Sequence, residues 1–129
     1  CWEVTGDGKI FQFGIRSGDR EEFRWGKDHV TTHKFDLVGL EETLERLGDT
    51  PLYFTLDLDV LDPSVFPGTG TPEPGGISFD ELRKAVTLVC GKANVIACDV
   101  NELSPPCDQS GVSTMVACKI VREMLLALN

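Results

Sequence analysis

Asp57 and Asp59, separated only by Leu58, are the acidic residues whose setting suits chemistry. Asp57-Leu58-Asp59 ends an apolar run. If that run is a strand, alternation with a period of two puts both carboxylates on one side and the leucines on the other. Like charges held that close raise each other's pKa unless a cation neutralises them. Oxygen-only ligation suits hard ions such as manganese or magnesium. Alone, Asp-x-Asp is more often an exposed strand end or a turn former, and Glu102 alone is a solvated loop acid. His29 and His33 lie in a polar stretch without ligand-type neighbours and read as ordinary surface residues.

The elements that must position these side chains follow from apolar spacing. Residues 10–15 (IFQFGI) read as a short strand, and Arg16-Ser17-Gly18-Asp19 as the loop after it. Leu37, Leu40, Leu44 and Leu47 recur at spacings of three and four, predicting an amphipathic helix capped by Asp36 and ended by Gly48. Residues 51–58 (PLYFTLDL) and 95–100 (VIACDV) read as buried strands. Ser78 and Glu81 form a capping box for a helix carrying Phe79, Leu82, Ala85, Val86 and Val89, with Gly91 at its end. A final helix over about 112–128 would turn Met115, Val116, Ile120, Met124 and Leu125 toward the core.

Two loops remain. Residues 62–76 hold four prolines and four glycines, too many for regular structure, and long loops of this kind usually carry function. Residues 101–111 form the second, polar and proline-containing. Strand, helix, strand, helix, strand, helix with short junctions predicts an α/β fold: right-handed crossovers and a mostly parallel sheet covered by helices on both faces, as three layers. In such sheets ligands bind beyond the carboxyl ends of the strands, where both loops lie.

Composition narrows the function classes. With 21 acidic against 12 basic residues, the formal charge of −9 opposes nucleic acid phosphates and favours cations. An apolar share of 41% is that of a globular protein, and no run is long enough to span a bilayer. Five cysteines, an odd number irregularly spaced, fit reduced thiols in a cytoplasmic setting better than a disulfide framework. The first residues, Cys1-Trp2-Glu3-Val4, lack an initiating Met and the pattern of a secretory leader, so the chain reads as cut from something longer.

Asp57-Leu58-Asp59-Val60-Leu61-Asp62-Pro63, followed by PGTGTPEPGG over 67–76, resembles the ureohydrolase (arginase/agmatinase) family in its agmatinase form. A second matching segment is Asp99-Val100-Asn101-Glu102-Leu103-Ser104-Pro105-Pro106-Cys107-Asp108. The likeness continues through Gly111-Val112-Ser113-Thr114 and upstream to Gly14-Ile15-Arg16-Ser17. It implies an arginase-like three-layer fold, of which residues 1–129 would be the C-terminal part of a single domain. Carried over residue by residue, Asp57 would bridge two manganese ions and Asp59 would ligate one of them. Glu102 would pair with a substrate guanidinium, and Asp62 would be structural, capping the turn at Pro63. The sequence departs from the family pattern at Asn101 and Cys107, where an apolar residue and a tyrosine are more usual. The family's histidine after a glycine pair and its Asp-Ala-His-x-Asp segment have no counterpart here.

The implied activity of the complete protein is manganese-dependent hydrolysis of a small cationic guanidinium compound, agmatine before arginine or guanidinobutyrate, in a cytoplasmic homo-oligomer. These 129 residues alone would be inactive. A different class of reading is a degenerate binding or scaffold domain holding one metal weakly or none. A flavodoxin-like nucleotide binder fits the element order but lacks a phosphate-cradling glycine turn, because the glycines here alternate with prolines that donate no N–H.

Overall fold

Two apolar runs pair side by side, but not as the buried strands expected: Leu56 is their one buried residue, and Tyr53 and Ile96 are 58% and 68% exposed. In the computed structural model, which describes residues 1–128, the two runs are β3 (Leu52–Asp57) and β4 (Val95–Asn101). They run parallel, with Thr55 opposite Asp99 and Asp57 opposite Asn101. A parallel pair needs a long crossover. Here it is supplied by a 3-10 turn (Leu58–Val60), the Pro/Gly loop and helix α4 (Phe79–Lys92). A second parallel pair, β1 (Phe11–Ile15) with β2 (Thr31–Lys34), stands apart from the first. Between and around them lie α1 (Trp2–Thr5), α2 (Arg20–His29), α3 (Leu40–Leu47), a 3-10 turn at Pro105–Cys107, and α5 (Val112–Ala127).

The core forms where α4 and α5 cover one face of the β3–β4 pair. Leu56 from the strand meets Leu82, Val86 and Cys90 of α4 and Ala117, Ile120 and Met124 of α5. Leu58, Leu61, Phe66 and Ile77, from the turn and loop after β3, join the same cluster. The long loop is therefore anchored by apolar side chains. Phe66 is fully buried, and burial of a side chain of that size contributes about 3 kcal/mol.

The parallel α/β order matches the sequence reading, and several local expectations are borne out. The capping box at Ser78 and Glu81 is complete, and Gly48 ends α3 at φ 52°. Other expectations are corrected. The cap of α3 is Gly39, while Asp36 binds the Val38 N–H three residues earlier. Gly91 lies inside α4, whose C-cap is Ala93. Met115 and Leu125 were expected in the core but are 71% and 66% exposed, because the α5 face toward the core is Ser113, Ala117, Ile120 and Met124. Among the described residues, the β3 face bearing Tyr53, Thr55 and Asp57 is open to solvent. No described helix is long and apolar enough to cross a membrane, and the five cysteines are free thiols.

Candidate active site

Strand β3 stops at Asp57, and the chain turns at once into the 3-10 segment Leu58–Val60. The turn forms because Asp57 Oδ1 accepts the Asp59 N–H at 2.9 Å, a local bond that competes with continued strand. The two carboxylates are thus brought together by a side-chain-capped turn, which replaces the strand alternation expected from the sequence. Leu58, between them, is fully buried and holds the turn to the core. Burial raises the Asp57 carboxyl above its ordinary value. The Asp59 N–H pulls it back, and the Asp59 charge and side chain raise it again.

Asp62 closes the base of the long loop. Its Oδ1 accepts the Ser64 N–H and hydroxyl at 3.0 and 2.5 Å, while Oδ2 accepts the Gly75 and Gly76 N–H groups at 2.9 and 3.3 Å. Four donors, the Ser64 hydroxyl foremost, bring its pKa to about 2. The turn-capping role expected at Pro63 is borne out, and the same carboxylate also ties the far end of the loop. Gly76 has no room for a side chain: a Cβ there would stand 2.4 Å from Asp62 N and 2.6 Å from Val60 O.

The second loop is docked on the first. Gly68 donates its N–H to the buried Ser113 hydroxyl at 2.8 Å and accepts the Ser104 N–H at 2.7 Å. Asp108 receives the Ser110 hydroxyl at 2.5 Å and the Ser113 N–H at 2.8 Å, which hold its carboxyl well below the usual range. Through these contacts the PGTG segment reaches Glu102. The buried Thr69 hydroxyl donates to Glu102 Oε2 at 3.3 Å. Glu102 has φ 67°, a left-handed backbone that side-chain-bearing residues seldom adopt.

Asp57, Asp59 and Glu102 consequently share the carboxyl edge of β3–β4, since Asp57 is the register partner of Asn101, the residue before Glu102. The histidines lie elsewhere. His29 is hydrogen-bonded to Asp7 at 2.6 Å beside Trp2 and Trp25, and His33 stacks on Phe13. The two departures from the family pattern are accommodated locally. Asn101 donates to Asp99 Oδ1 and to the Thr55 hydroxyl, in a polar network that also takes the Tyr53 hydroxyl onto Asp99. The Cys107 thiol lies 3.4 Å from the Ser104 hydroxyl.

As a donor set, the two hard carboxylates of Asp57 and Asp59 suit a divalent ion in kind but fall short in number. Among the described residues no group of three His, Cys, Asp or Glu side chains is gathered closely enough to hold a metal. Any complete metal site would need donors from beyond them.

Residues 2–127 match the family model described as Arginase family. The chain belongs to the arginase family. Among its arginase-family relatives, the agmatinase of Bacillus cereus is 42% identical over 127 residues, an overlap of 96% of this chain and 44% of that protein. A crystal structure of a Clostridium difficile protein superposes with a TM-score of 0.94 at 46% identity, covering 98% of this chain and 47% of the other. The agmatine ureohydrolase of Thermoplasma volcanium gives a TM-score of 0.82 at 30% identity, over 98% and 44% of the two chains. The chain therefore spans rather less than half the length of the relatives it matches.

Sequence reading did not single out Arg16, Thr69, Ser113 or Asp108 as parts that build this edge. Ser and Asp close to glycine in a loop were the available signal for Asp108, since such residues bind nearby backbone N–H groups. The Arg16 and Thr69 contacts join residues far apart in sequence and left no local trace.

Proposed function

We propose that the complete protein is a manganese-dependent ureohydrolase acting on agmatine, and that these residues supply part of its active site. The observation that carries the reading is the meeting of two loops at one sheet edge, which carries both the Asp57–Asp59 turn and a Glu102 held on left-handed backbone. Non-glycine residues in that conformation cluster at ligand-binding positions because the surrounding structure must over-determine them. In the proposal Asp57 and Asp59 are metal ligands and Glu102 pairs with the substrate guanidinium.

Two manganese ions, when bound, would lower the pKa of water enough to supply hydroxide near neutral pH. The chain's own residues hold and orient. Glu102 would fix the planar cation by charge-assisted hydrogen bonds, leaving its central carbon open to attack. Water adds to that carbon, the C–N bond to the alkyl chain breaks, and the amine leaves with a proton, giving urea and putrescine. Arginine and guanidinobutyrate carry the same guanidinium; agmatine is preferred because the PGTGTP and SPP segments resemble the agmatinase branch. The site's shortage of donors, with no gathered group of three among the described residues, supports a second reading: a scaffold domain with weak metal binding or none.

Urea release from agmatine, arginine and guanidinobutyrate, with and without manganese, separates these readings. The assay should use both residues 1–129 and the longest natural polypeptide that contains them. Activity on agmatine in the longer form only, and only with manganese, is the expected result. Silence of both forms toward all three compounds would favour the scaffold.

A further inference from the structure

Arg16 follows β1, in the Gly14-Ile15-Arg16-Ser17 segment, and among the described residues its hydrogen bonds go to backbone carbonyls. Nη2 donates to Asp59 O and, at 3.4 Å, to Leu61 O; Nη1 donates to Val60 O at 3.3 Å; Nε donates to Glu73 O at 3.0 Å. Three of these carbonyls are consecutive and lie at the end of the 3-10 turn that carries Asp59. The end of a short helix leaves such carbonyls without helical partners. The fourth belongs to the long loop, so one guanidinium ties β1, the carboxylate turn and the loop together.

A second contact locks the same junction. A Cβ on Gly14 would stand 2.5 Å from Val60 Cγ2, so the strand and the turn interlock at a point where only glycine fits. Gly14 also has φ 74°, which suits glycine for a separate reason. Its N–H is bound to Asp36 O at 3.0 Å, which fixes the strand side of the junction.

We propose that Arg16 is a positioning residue for the Asp57–Asp59 turn: it holds the backbone of residues 59–61, and through it the Asp59 carboxylate, in the arrangement that a divalent cation requires. The inference rests on the reading of Asp57 and Asp59 as metal ligands. The planar fork of arginine suits this task, because its separate N–H groups reach carbonyls of two different segments at once. A lysine ammonium keeps the charge but offers its donors from a single point.

The test is Arg16→Lys in the longest natural polypeptide containing the chain, titrated metal-free with manganese while free ion is counted by its EPR signal. Affinity is expected to fall roughly 10- to 100-fold, the range for residues that orient a metal ligand, in a metal-free protein that stays folded at the titration temperature with a lowered melting temperature. Equal affinity in Arg16→Lys and the parent overturns the inference and leaves the proposed function standing. A parent that binds no manganese overturns both. If Arg16→Lys does not fold, Arg16→Gln replaces it, with the same fall expected and unchanged affinity equally decisive. Failure of both variants to fold would assign Arg16 to the fold instead of the site, and would also overturn the inference.

Discussion

Thr69 donates its buried hydroxyl to Glu102 Oε2 at 3.3 Å, so the orientation of a carboxylate on the second loop is set by the first. Under the proposed function this contact tunes how Glu102 receives the guanidinium. Thr69→Val keeps the shape and removes the donor, so KM for agmatine should rise roughly fivefold, worth about 1 kcal/mol, with kcat nearly unchanged. Thr69→Ser should restore the parent value. Steady-state kinetics of the longer polypeptide checks both; an unchanged KM in Thr69→Val would remove Thr69 from substrate recognition.

Glu102→Gln should weaken agmatine binding far more than metal content. The neutral amide retains the size but loses the charge that meets the guanidinium, and hydrogen bonds to charged groups are worth about 1.5–3 kcal/mol. That corresponds to roughly a 10- to 150-fold rise in KM. Metal analysis of the purified variant is the control, and loss of its manganese would mean that Glu102 is misassigned.

Asp62 gives the loop a pH dependence with a definite sign. Its pKa falls from 3.8 to about 2 on folding. The stabilisation is therefore complete above the unfolded value and is lost as pH drops from near 4 through about 2. In Asp62→Asn the NH2 group would face N–H donors, so the variant should melt at lower temperature at neutral pH and lose less stability on acidification. Melting curves of parent and variant across that range test this; parallel pH profiles would show that another group controls acid sensitivity.

Gly76→Ala should be among the most damaging small substitutions. The added methyl would meet backbone atoms of residues 60–62, which cannot rotate away as a side chain would. A cost of at least about 2 kcal/mol is expected, toward the upper part of the overpacking range. Denaturant unfolding measures it, and a loss below about 0.5 kcal/mol, the size of a neutral surface change, would mean that the loop moves as a unit.

The parts legible in the sequence were those with a local signature. Strands β3 and β4 showed as apolar runs between breakers, and α4 showed through its Ser78–Glu81 box. Helix α2 has no buried residue and only weak apolar patterning from Phe23 and Trp25, so its legible cues were polar ones: Asp19 as N-cap, Glu21 and Glu22 in the first turn, Lys27 and His29 in the last. Strand β2 (Thr31–Lys34, sequence TTHK) was missed because it is held by pairing with β1 and by His33 stacking on Phe13, without apolar alternation. At the site, Asp57 and Asp59 could be picked out because they end an apolar run before a breaker-rich loop, whereas Glu102 stood out only through the resemblance of its flanking segment to the ureohydrolase family. The 3-10 turn, the left-handed Glu102 and the Arg16 fork depend on contacts between distant segments, which a linear pattern does not record.

The central claim is that the Asp57–Asp59 turn carries the metal chemistry, and manganese-dependent urea release from agmatine by Asp57→Asn and Asp59→Asn variants of the longer polypeptide tests it most directly. Each variant should retain its fold by circular dichroism and lose activity by more than the roughly 10- to 100-fold expected of a residue that only supports a ligand. Parent-like, manganese-dependent activity in either variant would contradict the account.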